Sequence, residues 1–146
     1  MKRSNWIKLV LAVALVIVPA SRALACEMVF RLTGPEGKDM RILPGSTVAL
    51  QKGADYTLVA EFIEDHRNCA IPPGETLFML DGEKWRVNKT TQALVLGSAI
   101  GWTQNSNTRN TAIVPFTAGT GGTAVLNISR VCPKGGYDES FTFIVS

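Results

Sequence analysis

The residues best suited to chemistry in this chain are one histidine and three cysteines. His66 and Cys69 form an H-x-x-C pair, and Cys26 and Cys132 are the remaining cysteines. Imidazole and thiolate groups bind zinc and take part in redox reactions, so these four side chains define one hypothesis, a metal or redox carrier. A blue-copper site needs two histidines and is excluded, and the sequence has no C-x-x-C motif of the thioredoxin type.

Hydrolytic chemistry has little support in the sequence. Asp65 and His66 are the one Asp-His neighbourhood available for a serine-type triad, and no G-x-S-x-G motif accompanies them. Adjacent residues of an extended chain point to opposite faces, so Asp65 is poorly placed to orient His66. We therefore predict no catalytic residue, no resident metal and no cofactor, and we expect that the protein is not an enzyme.

The first 25 residues have the composition of an export signal. Basic residues precede an apolar run at residues 7–18, and residues 23–25 offer the small side chains that a signal peptidase accepts. The apolar run is shorter than the roughly 20 residues that span a bilayer. We expect residues 1–25 to be a cleaved signal peptide and residues 26–146 to form one domain, located in the periplasm or outside the cell.

Cys26 would become the first residue after cleavage, which is the position that carries a diacylglycerol in bacterial lipoproteins. Lipidation would account for the odd number of cysteines, since Cys69 and Cys132 would then remain as a pair. Against lipidation, residues 23–25 are Ala-Leu-Ala, with leucine where such signals usually have a small residue. Two alternatives stay open: a membrane anchor on Cys26, or a thiol that is free or disulfide-bonded.

Removal of the signal would reverse the charge balance of the chain. The whole sequence has 15 basic and 12 acidic residues, and four of the basic residues lie within the first 25 positions. The exported domain would have 11 basic against 12 acidic side chains, a net charge of −1. Nucleic-acid binding requires clustered positive charge. We therefore expect no nucleic-acid partner, and membrane contact only through a lipid on Cys26.

Short stretches of alternating apolar residues predict β-strands, and no stretch has the apolar spacing of a helix. Asp81-Gly82 is a strong signal for a tight hairpin turn, whereas polar residues 104–110 predict an exposed loop. We predict an all-β fold, a single antiparallel β-sandwich of seven to eight strands. Nine stretches contribute to these strands, at residues 28–32, 48–50, 56–62, 76–80, 84–87, 93–96, 111–116, 124–131 and 140–145, and the last two are expected to form a terminal hairpin. Tyr56, Leu58, Ala60 and Phe62 are expected to share one face.

Residues 44–58 have the pattern P-G-x-x-V-x-L-x-x-G-x-x-Y-x-L, which resembles the opening strands of many bacterial immunoglobulin-like domains. The resemblance covers about half of the chain and implies an immunoglobulin-like sandwich. In that topology the loops that hold Cys69 and Cys132 lie at the same end. A bridge between them would close a loop of about 60 residues, which chain-entropy models value on the order of 4 kcal/mol. We expect a disulfide bond between Cys69 and Cys132.

Three loops are candidate contact surfaces for a partner, at residues 64–75, 101–110 and 132–139. Trp85 is expected to lie in the core, since most tryptophans at such positions do. The candidate binding residues in the three loops are His66, Arg67, Trp102, Lys134 and Tyr137.

We expect an exported, non-enzymatic binding or assembly module that contacts another envelope or extracellular protein, or its own copy, through these loops or an edge strand. Besides the metal or redox carrier, the alternative is a secreted protease inhibitor. The segment from Phe116 onward, with Gly122, Arg130 and a final F-x-F-x-V strand, is similar to chagasin-type cysteine-protease inhibitors, which present three loops to the protease. The tryptophan that this family has after Arg-Pro is absent, so no inhibitory residue is assigned.

Overall fold

The computed structural model describes residues 27–64, 71–131 and 137–146. These residues contain twelve β-strands and one short 3-10 turn at Pro73–Glu75. In this part of the chain no helix has the length and apolar composition needed to cross a membrane. The strands are β1 (Glu27–Thr33), β2 (Asp39–Ile42), β3 (Thr47–Leu50), β4 (Asp55–Ile63), β5 (Thr76–Leu80), β6 (Glu83–Lys84), β7 (Lys89–Thr90), β8 (Leu94–Leu96), β9 (Gly101–Ser106), β10 (Arg109–Ala118), β11 (Gly122–Arg130) and β12 (Tyr137–Val145).

The strands form two sheets. The first has the order β2-β1-β4-β10-β8-β7, with β9 paired to another part of β10, and the second has the order β3-β12-β11-β5-β6. Neighbouring strands are antiparallel, except that β3 and β12 are parallel. The all-β prediction is therefore confirmed, and the two sheets make a β-sandwich-like fold.

Period-two alternation places one face of each long strand in the core. In β4 the even-numbered side chains from Tyr56 to Phe62 are buried, while the odd-numbered side chains reach the outer face. Buried side chains of both sheets form one cluster. Phe30 of β1 and Phe141 of β12 meet edge to face with ring centroids 4.7 Å apart, so the inner faces of the two sheets are in contact.

Two local predictions from the sequence are confirmed. Asp81 and Gly82 join β5 to β6 with φ angles of 50° and 79°, which are the positive values that a two-residue hairpin turn requires. The terminal hairpin is also present, because β11 and β12 pair along their whole length from Gly122 to Arg130. Trp85 is buried, as expected.

The structure differs from the sequence expectation in strand number and in one loop. Twelve strands replace the predicted seven to eight. Strands β2 and β7 were not predicted because they have four and two residues and no alternating pattern, and β9 was not predicted because it has no apolar face. Residues 104–110, predicted to be a loop, lie in the β9–β10 hairpin. An edge strand is held by backbone pairing and tolerates polar side chains, so a polar sequence does not exclude a strand.

The topology brings several connections to one end of the sandwich. Ile63 at the end of β4 lies opposite Glu27 and Arg109, and Arg130 at the end of β11 lies opposite Tyr137. The connections β4–β5, β9–β10 and β11–β12 therefore begin or end close together. We call this region the loop end, and it comprises Glu64, residues 71–75, Asn107, Thr108, Arg130, Val131 and Tyr137.

Candidate functional site: the loop end

A buried ion pair lies at the base of the loop end. Arg130 Nε lies 2.6 Å from Glu64 Oε1, and the two side chains are 0% and 1% exposed. The two atoms attract each other as opposite charges, but their geometry is not that of a hydrogen bond. Each buried charge compensates the other, whereas either charge alone would be costly to withdraw from water.

Arg130 also binds three other segments of the chain. Its Nη1 donates a hydrogen bond to Thr76 Oγ1 at 2.7 Å, and its Nη2 donates to the carbonyl oxygen of Ile71 at 2.5 Å. The guanidinium carbon lies 4.5 Å from the ring centroid of Phe62, a cation–π contact. The planar fork of donors on one side chain thus joins β11 to β4, to β5 and to the segment before β5.

Glu64 and Ile71 flank residues 65–70 in the sequence, and the structure joins them directly. The backbone N–H of Ile71 donates to Glu64 Oε2 at 3.3 Å, while the backbone N–H of Glu64 donates to the carbonyl oxygen of Thr108 at 2.8 Å. The carbonyl oxygen of Ile71 accepts from Arg130 and also from Asn110 Nδ2 at 3.4 Å. The base of the β4–β5 connection is therefore fixed to both β10 and β11.

Trp102 lies on strand β9 rather than in a loop. Its ring stacks on Phe62 with centroids 5.8 Å apart, and it meets Phe78 nearly edge-on at 6.1 Å. Trp102 is partly buried and packs against the core. Trp102 thus packs against Phe62, the residue whose ring also contacts Arg130. The role of Trp102 in binding a partner stays a prediction.

Several predicted site residues lie outside the described part of the chain: His66, Arg67, Lys134, Cys26, Cys69 and Cys132. The disulfide, the lipid and the metal hypotheses therefore stay predictions. Tyr137, predicted to lie in a loop, is the half-buried first residue of β12. Within residues 27–64, 71–131 and 137–146, no three His, Cys, Asp or Glu side chains are grouped closely enough to hold a metal ion.

Two grooves flank the β9–β10 hairpin, and Asn110 lines both of them. One has a volume of about 250 Å³ and includes Pro72 and Gln104, and the other has a volume of about 240 Å³ and includes Glu61 and Asn105. The pairing register shifts between Arg109 and Asn110, which marks a β-bulge at this point. Bulges are frequent beside functional sites because they re-aim a side chain.

Val131 is an exposed apolar side chain at the loop end. It is 69% exposed, the largest exposed fraction among the large apolar side chains of the described residues. Pro72 is also exposed on this end. Apolar side chains rimmed by polar groups are a feature of protein–protein contact surfaces.

Sequence reasoning missed the ion pair, and its expectation for Glu64 was wrong. Glu64 was expected to lie in a contact loop, but it is buried because it continues the inward-facing series of β4, two residues after Phe62. Arg130 likewise continues the inward series of β11, two residues after Ile128. Two opposite charges that each end an inward-facing series were the signal that could have revealed the pair.

The loop end therefore combines a buried polar base with exposed apolar and carboxamide side chains. This base fixes the described ends of the connections at Glu64, Ile71 and Arg130. Comparisons of the chain with protein-family models, with curated proteins and with solved structures found no match, so the functional interpretation depends on this geometry and on the sequence.

Proposed function

We propose that this chain is an exported, immunoglobulin-like domain that binds another envelope or extracellular protein through its loop end. The observation that carries the proposal is the buried pair of Glu64 and Arg130, which holds Ile71 and the connections that meet there. Chain ends that are already fixed lose less conformational entropy on binding, so the fixed positions of Glu64, Ile71 and Arg130 favour a recognition surface.

The strand order supports the immunoglobulin-like assignment. Strands β1, β4, β10 and β9 correspond in position to A, B, E and D of such a sandwich, and β5, β11 and β12 correspond to C, F and G. In variable domains of that fold, the B–C and F–G connections lie at the ligand-binding end. The corresponding connections in this chain are residues 64–75 and 131–136.

Export is part of the proposal, and the composition of residues 1–25 supports it. The exported chain would begin at Cys26, directly before Glu27, whose register partner Ile63 lies beside the loop end. A lipid on Cys26 would therefore hold the loop end towards the membrane surface. In that case a membrane-bound protein is the expected partner.

Inhibition of a cysteine protease is the second candidate function. It is favoured by the meeting of three connections at the loop end, because chagasin-type inhibitors present three loops to the protease. The purified protein should be assayed against papain over a range of concentrations. Nanomolar inhibition would favour the inhibitor, and unchanged protease activity would favour the binding module.

Site-specific photo-crosslinking tests the binding module. A photoreactive amino acid replaces exposed Val131 at the loop end or, as a matched control, exposed Lys52 in the turn between β3 and β4 at the opposite end. Each variant is produced in the native host and illuminated. We expect a specific adduct with one envelope protein from position 131 and none from position 52. Equal labelling from both positions, or no adduct from either, would contradict the proposal.

A further inference from the structure

Strand β9 is an edge strand with a free side. It pairs with β10, and within the described residues no backbone hydrogen bond joins residues 101–106 to any third segment. Strand β8 pairs with β10 further along, at Thr117 and Ala118. The outward N–H and C=O groups of β9 are therefore a template for an additional strand.

The sequence of β9 lacks the features that usually protect a sheet edge. Natural edges carry charged side chains or proline, which disfavour pairing with another chain. Among the other strands at the sheet edges, β2, β6 and β7 each contain at least one charged residue, and β3 has no charge or proline but only four residues. Strand β9 has six residues, Gly-Trp-Thr-Gln-Asn-Ser, without a charge or a proline. It is longer than these four strands and better suited to pairing.

A groove alongside β9 contains an unsatisfied polar group. The groove has a volume of about 250 Å³ and is lined by Ile71, Pro72, Pro73, Gln104, Asn107 and Asn110. Asn110 is 2% exposed, and its Oδ1 has no hydrogen-bond partner within the described residues, although its Nδ2 donates to Ile71. This oxygen is itself closed to solvent, so a bound segment satisfies it only by moving the groove lining and supplying an N–H or O–H group.

We infer that β9 and this groove form a β-augmentation site for an extended, uncharged segment of a partner protein. The backbone of that segment pairs with the free side of β9, and a donor group reaches Asn110 Oδ1. One small apolar side chain of the segment packs against Pro72 and Pro73. Among the residues that the structure describes, neither β9 nor the groove lining contains an ionisable side chain, so a charged segment would lose hydration without gaining a counter-charge from them. This inference rests on the proposed function, because it gives the binding module a site and a partner class.

Selection of peptides provides the test. Random nonapeptides displayed on phage are selected on the purified full chain, and one enriched peptide is synthesised. We expect the enriched peptides to be uncharged at their central positions. On binding, the synthetic peptide should slow amide hydrogen exchange of residues 101–106.

Two variants and one control locate the peptide. Gln104→Lys introduces a charge at an exposed position of β9 and should weaken binding of the synthetic peptide about tenfold. Asn110→Leu removes the unpaired oxygen and should weaken it about fivefold, with the unfolding midpoint measured to verify the fold. Thr47→Lys, on edge strand β3, is the matched control and should leave the affinity within about twofold.

Three results would each contradict the proposed β-augmentation site. They are unchanged peptide binding in Gln104→Lys, protection from exchange only outside β9, and the absence of any enriched peptide. If the chain forms a dimer and Gln104→Lys dissociates it, the occupant of the site is a second copy of the chain and not a segment of a partner protein. Cross-linking from position 131 tests the binding module separately, so failure of this site and failure of the proposed function are distinguishable.

Discussion

Arg130 and Glu64 form an ion pair that joins the two sheets, with Nε 2.6 Å from Oε1 and neither side chain open to solvent. Arg130 ends β11 in the second sheet, and Glu64 directly follows β4 in the first. The same arginine binds the carbonyl oxygen of Ile71, where the β4–β5 connection returns to the sandwich. The pair therefore fixes Glu64, Ile71 and Arg130 at the base of the proposed binding surface.

Arg130→Met should lower the free energy of unfolding by about 3–5 kcal/mol, because Glu64 is left buried without its counter-charge. Urea denaturation of the two proteins measures the difference. The matched control is Arg31→Met, which removes the exposed ion pair of Arg31 with Glu61 and should cost about 0–1 kcal/mol. Equal losses in the two variants would contradict the structural role of the buried pair.

Gly119→Ala should lower the free energy of unfolding by about 1–3 kcal/mol, because a Cβ at this position would overlap the backbone carbonyl of Gln92. The close approach is part of the fold, since the N–H of Gly119 donates to the carbonyl oxygen of Ala93 at 2.6 Å. Gly97→Ala is the control, because a Cβ added at Gly97 would have no neighbouring atom within 4 Å. A stability loss that is the same for Gly97→Ala would show that the overlap is not the cause.

The pKa of Glu83 is lowered from its ordinary value of 4.5, chiefly by the hydrogen bond from Lys89 and then by the charge of that lysine. Because the folded-state pKa lies below the unfolded-state pKa, the stabilisation is present above pH 4.5 and is lost as pH falls through the folded-state pKa. Lys89→Met should therefore raise the pKa of Glu83, as measured by NMR titration of its carboxyl carbon. An identical titration curve in the variant would contradict the assignment.

Cys69 and Cys132 should be protected from alkylation until the protein is reduced. The neighbouring residues Ile71 and Arg130 are in contact, with Arg130 Nη2 2.5 Å from the carbonyl oxygen of Ile71, which favours bridging of the adjacent cysteines. Intact mass spectrometry with and without reduction counts the protected thiols. It also identifies the first residue and any lipid mass on Cys26. Alkylation of Cys69 and Cys132 without reduction would contradict the disulfide.

Alternation of apolar residues was sufficient to predict the all-β class, the terminal hairpin and the buried face of β4. It could not locate β9, because the sequence from Gly101 to Ser106 has no apolar face and the strand depends on backbone pairing with β10. The short strands β2 and β7 were also missed, because neither has an alternating apolar pattern. The contacts of Arg130 depend on which strands become neighbours, and one sequence does not encode that pairing locally.

The proposed binding of a partner at the loop end is tested most directly by amide hydrogen exchange. Exchange is measured on the protein alone and on the protein with the partner recovered by cross-linking. We predict slower exchange at Ile71, at the turn residues Asn107 and Thr108, and at Val131 when the partner is added, with residues 51–54 unchanged. Slower exchange at residues 51–54 and 119–121, together with an unchanged loop end, would place the binding surface at the opposite end of the sandwich and contradict the proposed binding role of the loop end.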